Sequence, residues 1–493
     1  MSSARVPDIG TRGGAENAIG ETSGMATREI SQEERENVDD LVACARAAAA
    51  QFASARQDQV DRLCQAIAWA VANETTFTRL AEMSVVESGL GDPVSRVSKR
   101  FKIMGILRDV LREKSVGVIE ELPERGIVKY AKPVGVIASL IPTTNPELTP
   151  VGVAIFAVKC RDAVVFSPHP RSRKTTIETV RIMREVLARE GAPADLLQVI
   201  ERPSIPAAQY LMASCDLVQA TGGRDMVRAA YSSGTPAYGV GSGNSTMIVD
   251  ETAEIDQAAR NTRMSKTSDY GSGCSADGNL LVQASIYDAM RDQLITEGAY
   301  LASPEDKEKL RRVLWDDEGH RLPDTVAVSA QRLGELAGFA VPAGRSFIVV
   351  EEDHIGRTYP FSSEKLCVVL SLFRYDTFDD ALHMVEELFE VGGKGHSCGI
   401  YSHDDDHIDR LALAAPVSRI MVRQPQSKAN AGSFTNGMPM TSSLGCGTWG
   451  GNATSENINL KHYMNVTWVS RPIPEDRPSE QDLFGEFYKT AVD

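Results

Sequence analysis

The sequence predicts an α/β protein with two domains, each built around a parallel sheet. Its 493 residues exceed the usual size of a single domain. From about residue 127, short β-rich runs such as "DAVVFSP" and "DLVQAT" alternate with helical segments such as "TTIETVRIMREVLAREGA". That alternation is typical of βαβ units. A second alternating stretch begins at about residue 247 with "MIVD" and continues through "NLLVQA" and "KLCVVLSLFRY". The two stretches therefore predict two sheets in chain order.

The two ends of the chain differ from these stretches. Residues 1–28 are small, polar and rich in glycine, which is typical of a disordered tail. From Ile30 the chain combines helix formers with apolar residues three and four positions apart, as in "SQEERENVDDLVACARAAAAQF", and this predicts amphipathic helices. From about residue 461, "KHYMNVTWVSRPI" has the composition of a late strand. Such a terminal segment would suit an arm that pairs with a partner subunit.

Composition and charge exclude several classes of protein. The chain is 42% hydrophobic and 24% charged, and its formal net charge is −15, which argues against a nucleic-acid surface or an anionic membrane surface as partner. No apolar run approaches the ~18 residues of a membrane span, and no secretory signal opens the chain. The eight cysteines form no CxxC pair, so reduced thiols are expected. We therefore expect a cytoplasmic protein.

One cysteine lies in an unusual loop. Cys274 ends the Gly-Ser run of "SDYGSGCSADGNLLV", where neighbouring glycines would let a substrate approach the backbone closely. A thiolate is a strong nucleophile and a good leaving group, so it can add to an aldehyde or exchange an acyl group. The alternative is that Cys274 is a small buried hydrophobic residue, as free cysteines usually are.

A second loop offers an oxyanion donor. Asn145 lies between two prolines in "VIASLIPTTNPELTP", just after an apolar strand. A side-chain amide together with a backbone N–H is a usual oxyanion hole. The alternative is a turn, because Asn before Pro commonly forms one.

Two further segments suggest a dinucleotide. In "DLVQATGGRDMV" a strand ends at Thr221, Gly222 and Gly223 before a helix, which would allow the helix N-terminus to face a pyrophosphate. In "FSPHPRSRKTT", Arg171 and neighbouring cations open a helix, where they oppose the helix dipole. A cofactor phosphate would relieve that unfavourable charge, although a solvated surface run is the alternative.

No metal site is predicted. His403 and His407 are four residues apart in "SHDDDHIDRLALAA", but the segment lacks a third ligand and the glutamate of a HExxH motif. Acidic residues at the start of this helix are ordinary dipole chemistry.

Six segments, in this order, resemble the aldehyde dehydrogenase superfamily and, within it, its CoA-acylating branch. They are "AKPVGVIASLIPTTNP", "VVFSPHPRS", "ATGGRDMVRAAYSSGTPAYGVGSGN", "SKTSDYGSGCSADGNLLV", "GGKGHSCGIY" and "SLGCGTWGGNATSENI". The resemblance implies an α/β, aldehyde dehydrogenase-like fold with two Rossmann-like parallel-sheet domains plus a β-arm for oligomerisation. It implies a cofactor-binding domain at 29–245 with an arm hairpin near 116–132, a catalytic cysteine domain at 246–460, and a C-terminal arm and tail at 461–493.

The resemblance also implies roles for particular residues. Cys274 would be the nucleophile, Asn145 the oxyanion donor, and His396 would lie near the active site. The cofactor, NADP or NAD, would be bound by Thr143, Ser167, His169, Arg171, Thr221, Gly222, Gly223, Gly239 and Glu364.

Two departures from the hydrolytic members bear on the product and the cofactor. Hydrolytic relatives carry a glutamate that activates the deacylating water, where this chain has Gly239 in "AYGVGSGNS". Without that base, water attacks a thioester poorly, whereas a thiol needs less help, so the resemblance implies coenzyme A as co-substrate. Hydrolytic relatives also often have Lys-Pro-x-Glu after the second strand, where this chain has Ser167-Pro168-His169-Pro170 before Arg171, so NADP is permitted.

The resemblance leaves the aldehyde open. The segment "NAGSFTNGMPMTSSLGCGTWGG" is more similar to members that take anionic aldehydes, which favours sulfoacetaldehyde, with succinate semialdehyde and acetaldehyde as alternatives. Arg171 and Arg263 are candidates for binding the far end of the substrate. A hydrolytic enzyme and an inactive structural or binding member of the fold are the rival functions. A homodimer or homotetramer is expected.

Overall fold

The computed structural model describes residues 28–241 and 243–489. All but one residue of the predicted tail, 1–28, lies outside the described residues. Among the described helices, none is both long and apolar enough to cross a membrane.

A group of helices opens the described chain. The first helix begins after Ser31 with a capping box. The Ser31 hydroxyl accepts a hydrogen bond from the Glu34 N–H, and the Glu34 carboxylate accepts one from the Ser31 N–H. Its buried face carries Val38, Val42 and Ala45 at helical spacing. The helices of this group are α1 (Gln32–Phe52), α2 (Gln57–Ala72), α3 (Glu74–Ser88), α4 (Pro93–Arg96) and α5 (Arg100–Leu111).

The first large sheet has five parallel strands in the order β5-β4-β3-β6-β7. Every residue of β3 and β4 is buried, as expected for strands covered on both faces. The chain runs outward from β3 to β5 and then returns to the other side of β3 as β6, so a topological switch point lies between β3 and β6. The elements are β3 (Val136–Ile141), α6 (Thr149–Cys160), β4 (Ala163–Pro168), α7 (Arg173–Arg189), β5 (Leu197–Val199), α8 (Ile205–Ser214), β6 (Leu217–Thr221), α9 (Arg224–Tyr231) and β7 (Ala237–Val240).

The second large sheet has seven parallel strands in the order β10-β11-β12-β9-β8-β13-β14. Its central strands β8 and β13 are wholly buried. The elements are β8 (Thr246–Val249), α10 (Ile255–Thr267), β9 (Asn279–Gln283), α11 (Tyr287–Thr296), β10 (Ala299–Leu301), α12 (Pro304–Leu314), α13 (Ala330–Ala337), β11 (Phe347–Glu351), β12 (Val369–Tyr375), α14 (Phe378–Gly392), β13 (Cys398–Tyr401), α15 (Asp405–Ala414), β14 (Ile420–Val422) and α16 (Gln426–Ala429).

A separate antiparallel sheet forms an arm. It joins the hairpin β1 (Gly117–Leu122) and β2 (Ile127–Pro133) to the late strand β15 (Met464–Ser470), which pairs with β2 along its whole length. Most residues of β15 are exposed, and the Trp468 side chain, which is 55% exposed, packs against the Lys129 ammonium. A short helix, α17 (Glu480–Phe484), follows.

The chain returns to the first core after completing the second sheet. Met440, Ile458, Leu460 and Tyr463 belong to the same buried cluster as the strands of the first sheet, and the Tyr463 ring stacks on Phe156 of α6 at 5.2 Å. The first core is therefore built from both ends of the described chain.

Candidate active site

The loop that carries Cys274 has an unusual backbone. It follows α10, and both Asp269 and Tyr270 have φ of 50°, the left-handed conformation that residues other than glycine rarely adopt. Gly271 follows with φ of 69°, where a side chain would clash with the Cys367 carbonyl group. Such conformations cost about 1–3 kcal/mol each and concentrate at functional sites, where surrounding contacts maintain them.

Cys274 is paired directly with His396. Its Sγ lies 3.1 Å from His396 Nε2, and the imidazole is buried between α14 and β13. The backbone carbonyl of His396 accepts a hydrogen bond of 2.8 Å from buried Arg419, which fixes the segment. Because nucleophile and base are within hydrogen-bond reach, the pair has the geometry of an activated thiol.

A hydroxyl group holds the other side of the His396 ring. Ser397 Oγ lies 2.8 Å from His396 Nδ1 and accepts a hydrogen bond from the Asn430 amide at 2.9 Å. The nearby Ser245 hydroxyl donates to the Cys274 carbonyl at 3.0 Å. When Ser397 accepts from the Nδ1–H of His396, Nε2 is unprotonated and faces the thiol, as a general base requires.

Burial keeps both the Cys274 thiol and the His396 imidazole uncharged. Burial, with a smaller contribution from Glu364, raises the pKa of the Cys274 thiol to about 12. Burial, with a smaller contribution from Arg419, lowers the pKa of His396 to about 3. The resting pair is therefore a thiol beside a neutral imidazole.

Alkylation of Cys274 by iodoacetamide is expected to accelerate about tenfold per pH unit from about pH 6 to about pH 9. Only the thiolate reacts, and its fraction rises throughout this range because the pKa of the thiol, about 12, lies above it. The rate would be measured by mass spectrometry of the Cys274 peptide, with exposed Cys44 as an internal reference. A rate that levels off below pH 8 would contradict the neutral pair.

The structure also brings Glu364 and a glycine to this pair. Gly243 donates its N–H to Glu364 Oε1 at 3.1 Å. A Cβ on Gly243 would lie 2.6 Å from His396 Cγ and 2.9 Å from the Cys274 carbonyl oxygen. Only glycine therefore lets the backbone pass this close to both residues.

Asn145 is held by a lysine that also binds the cysteine loop. Lys99 Nζ donates to Asn145 Oδ1 at 2.7 Å and to Asp269 Oδ2 at 2.7 Å. Because its oxygen accepts from Lys99, the Asn145 amide keeps its N–H groups for another acceptor. Among the described residues, Asn145 Nδ2 makes only a long contact of 3.4 Å to Thr144 Oγ1. Lys99 thus fixes the orientation that an oxyanion donor needs.

Asp269 is the centre of a buried charge cluster. Its carboxylate accepts from Arg96 at 2.9 and 3.1 Å as well as from Lys99, and Arg96 lies 3.9 Å from Glu147. Burial opposes ionisation of Asp269, but Lys99 and Arg96 outweigh it and lower its pKa to about 2. The Ser272 hydroxyl donates to the same carboxylate at 2.7 Å, which connects the cluster to the residues beside Cys274.

Three of the sequence-predicted cofactor residues lie at the carboxyl ends of the strands around the switch point. Thr143 follows β3, Ser167 is in β4, and Thr221 ends β6. A Cβ on Gly223, the N-cap of α9, would meet nothing within 4 Å, so the approach to this helix end is open. The Thr143 hydroxyl oxygen is buried without a hydrogen-bond partner among the described residues. An open helix end and an unused hydroxyl at a switch point suit a dinucleotide.

The positive charge at the start of α7, which suggested a phosphate beside Arg171, already faces a carboxylate of the chain itself. Glu87 of α3 accepts from the backbone N–H groups of Lys174 and Thr175 at 2.7 and 2.8 Å. This carboxylate relieves the unfavourable charge at the helix end. Arg171 instead donates to the Ser88 carbonyl at 2.8 Å, while the His169 Nδ1 accepts from the Arg171 N–H.

Gly239, the residue at the position of the hydrolytic glutamate, has no room for a side chain. A Cβ there would lie 2.8 Å from both Tyr231 and Val227. The Gly239 N–H donates to the Tyr231 hydroxyl at 3.0 Å, and Ala453 N–H donates to the same hydroxyl at 2.9 Å. The packing of α9 against β7 therefore excludes a general base at residue 239.

His403 and His407 do not converge, because His403 precedes α15 and only His407 lies in it. His407 Nδ1 lies 2.8 Å from Asp250 Oδ2, and its ring stacks on Phe378. His403 Nε2 instead lies 3.7 Å from Glu254 Oε1. Asp250, Glu251 and His407 are close enough together to be potential ligands, but His403 is paired with a different carboxylate.

Sequence reasoning missed several residues of this site. Lys99 contacts Asn145 and Ser397 contacts His396 directly. Asp269 binds Lys99, although the two residues are 170 positions apart. The available signal was the Asp in "SDYGSGC", since a charged residue in a loop next to an expected nucleophile needs a partner. Arg263, a candidate for the far end of the substrate, is paired with Glu297 at 2.7 Å.

The fold and site together define a class. Two parallel α/β sheets, a topological switch point with an open helix end, and a cysteine–histidine pair are typical of cofactor-dependent oxidoreductases that use a thiol nucleophile. The sequence profile of the Aldehyde dehydrogenase family matches residues 16–309. The chain belongs to this family.

Two curated relatives define its place in the family. A sulfoacetaldehyde dehydrogenase from Acholeplasma sp is 43% identical over 439 residues, 88% of this chain and 90% of that protein. A sulfoacetaldehyde dehydrogenase (acylating) from Bilophila wadsworthia is 41% identical over 92% of this chain and 98% of that protein. The predicted resemblance to the acylating branch and the prediction of an oxidoreductase are confirmed.

Solved structures agree on the fold. An acetylating aldehyde dehydrogenase from Geobacillus thermoglucosidasius superposes with a TM-score of 0.88 at 35% identity, over 92% of this chain and all of that one. A propionaldehyde dehydrogenase from Rhodopseudomonas palustris with bound propionyl-CoA has a TM-score of 0.78 at 28% identity, over 88% of this chain and 94% of that one. An engineered glycolyl-CoA reductase with bound NADP+ has a TM-score of 0.78 at 27% identity, over 88% of this chain and 96% of that one. The predicted fold class is confirmed.

Proposed function

We propose that the protein oxidises a short aldehyde to its acyl-CoA, with NAD or NADP as oxidant and coenzyme A as acyl acceptor. Sulfoacetaldehyde, giving sulfoacetyl-CoA, is the proposed substrate. The observation that carries the proposal is the 3.1 Å contact between Cys274 Sγ and His396 Nε2, in a chain with a curated relative named as an acylating sulfoacetaldehyde dehydrogenase.

In the proposed first step, His396 takes the thiol proton and the Cys274 thiolate attacks the aldehyde carbon. The oxygen then gains negative charge, which the Asn145 amide and the Cys274 backbone N–H stabilise. Lys99 holds the Asn145 oxygen away from this charge and so presents the amide N–H groups. Hydride loss from the adduct leaves a thioester on Cys274.

The residues at the switch point would hold the cofactor. Thr221 and the open start of α9 suit its pyrophosphate, and Thr143 and Ser167 lie on neighbouring strand ends. Glu364 would bind the nicotinamide ribose. When bound, the nicotinamide accepts the hydride. Since Glu87 supplies the anion at the start of α7, the helix end gives no reason to prefer NADP over NAD.

The second step separates this proposal from its hydrolytic rival. A hydrolytic enzyme needs a base to activate water, and Tyr231 and Val227 fill the space at Gly239 where its carboxylate would begin. A thiol such as CoA ionises far more readily than water and can attack the thioester without that base. The thioester therefore persists until CoA attacks it.

Turnover with and without CoA tests the proposal. We expect the purified protein to reduce NAD or NADP steadily with sulfoacetaldehyde only when CoA is present, followed by the absorbance of the reduced nicotinamide. Succinate semialdehyde and acetaldehyde are the comparison substrates. Equal steady turnover without CoA would support the hydrolytic rival, and no turnover of any aldehyde would support an inactive member of the fold.

We also propose that the protein is a cytoplasmic homodimer or homotetramer assembled through the arm. In the described part of the chain, β1 and β15 each have one neighbouring strand, and β15 exposes Val466 and Trp468. Unpaired edges and exposed apolar side chains favour burial against another copy.

A further inference from the structure

Three lysines converge beside the cysteine loop. Lys99 immediately precedes α5, and Lys102 lies one turn further along the same helical face. Lys428 reaches the same place from α16, where its Nζ donates to Ser268 Oγ at 2.7 Å. Ser268 adjoins Asp269, which binds Lys99.

Backbone carbonyl groups bind the third lysine, Lys102. Lys102 Nζ donates to the carbonyl groups of Ala431 and Gly432, at 2.9 and 2.6 Å. These two residues follow the C-cap of α16 and lie three and four positions after Lys428. The three lysines thus lie together between α5, α16 and the loop leading to Cys274, and each is only partly exposed.

Positive charge exceeds negative charge in this space. Lys99 and Arg96 share the Asp269 carboxylate, and Glu147 is the other carboxylate beside Arg96. The nearby Asp109 carboxylate pairs with Arg108 and accepts from the Met440 N–H.

Lys102 and Lys428 therefore have neutral partners: two carbonyl groups and a hydroxyl. Burial, reinforced by Lys428 and only partly offset by Asp109, lowers the pKa of Lys102 to about 7.

We propose that Lys102 and Lys428, together with Lys99, form the binding site for an anionic group on the far end of the aldehyde, a sulfonate or carboxylate. This inference rests on the proposed function and assigns the specificity of the same site. A bound anion would supply the missing counter-charge through charge-assisted hydrogen bonds.

The location suits a short substrate. Lys99 contacts both Asn145, the proposed oxyanion donor, and Asp269, five residues before Cys274. One end of the lysine cluster therefore adjoins the reacting centre. A two-carbon aldehyde with a terminal anion needs both sites within a few ångströms of each other.

The test measures selectivity in Lys102→Met and Lys428→Met, with sulfoacetaldehyde and propionaldehyde as anionic and neutral substrates. We expect the ratio of kcat/KM for sulfoacetaldehyde to that for propionaldehyde to fall about tenfold or more in each variant, through KM, because a hydrogen bond to a charged group contributes about 1.5–3 kcal/mol. Lys428→Arg should restore much of the ratio. Lys309→Met, on α12 beside Glu305, is the matched control.

The lysines could instead bind the phosphates of CoA. To distinguish the two anions, the KM for CoA is measured in each variant at a saturating aldehyde concentration. A rise in the KM for CoA with an unchanged aldehyde ratio would overturn the proposal and assign the lysines to CoA. Equal losses with both aldehydes would also overturn it. If the unaltered protein turns over no aldehyde with CoA, the proposed function itself fails, whereas CoA-dependent turnover with unaltered selectivity in both variants refutes only the lysine site.

Discussion

Replacing Cys274 by alanine is expected to abolish both CoA-dependent aldehyde oxidation and the exchange of acyl groups between CoA and the enzyme. Both reactions pass through a bond to the same sulfur, so their losses should be equal and amount to about four orders of magnitude or more. Cofactor reduction and thioester exchange would be measured separately on one preparation.

The control separates chemistry from folding. Cys44 is exposed on α1, and Cys44→Ala should keep both activities while carrying the same chemical change. The free energy of unfolding of Cys274→Ala, measured with urea, should equal that of the unaltered protein to within about 1 kcal/mol, because the substitution removes only a thiol. Acyl exchange that survives in Cys274→Ala would show that another nucleophile carries the acyl group.

Replacing Asp269 by alanine is expected to lower the free energy of unfolding by about 3–5 kcal/mol, because it leaves buried Arg96 and Lys99 without their shared carboxylate. It also removes the contact that ties the Asn145–Lys99 pair to the cysteine loop, so kcat should fall as well. Urea unfolding and steady-state kinetics measure the two effects.

A matched exposed pair provides the comparison. Asp292 binds Arg291 with its side chain 70% exposed, so Asp292→Ala should cost less than about 1 kcal/mol. The lowered pKa of Asp269 adds a pH test: its stabilising contribution is complete above about pH 4 and is lost as the pH falls toward 2. Equal stability of the two variants at neutral pH would show that the cluster contributes little.

What the sequence predicted well is what neighbouring residues determine. The strands follow from short apolar runs such as "VIASLI", since covering both faces of a strand requires unbroken hydrophobicity. The roles proposed for Cys274 and His396 rest on motifs of a few residues each. Their contact depends on two loops 122 residues apart, and only the resemblance to a known fold suggested it.

What the sequence did not predict depends on distant partners. The cations after β4 suggested a phosphate because nothing local revealed that Glu87, 87 positions earlier, caps α7. Tyr231 packs against Gly239, and Lys99 donates a hydrogen bond to Asn145. Neither side-chain contact can be predicted from the periodicity of the sequence. The lysine site escaped notice for the same reason, since α5 and α16 lie more than 300 residues apart.

The return of the chain to its first core sets an order of events during synthesis. Met440 through Tyr463 complete a core whose other residues begin at Val38, and β15 supplies the third strand of the arm. On the ribosome, that apolar surface stays uncovered until residue 463 has emerged, a delay of tens of seconds at about 5–20 residues per second. The nascent chain is exposed to aggregation and to chaperones for that time.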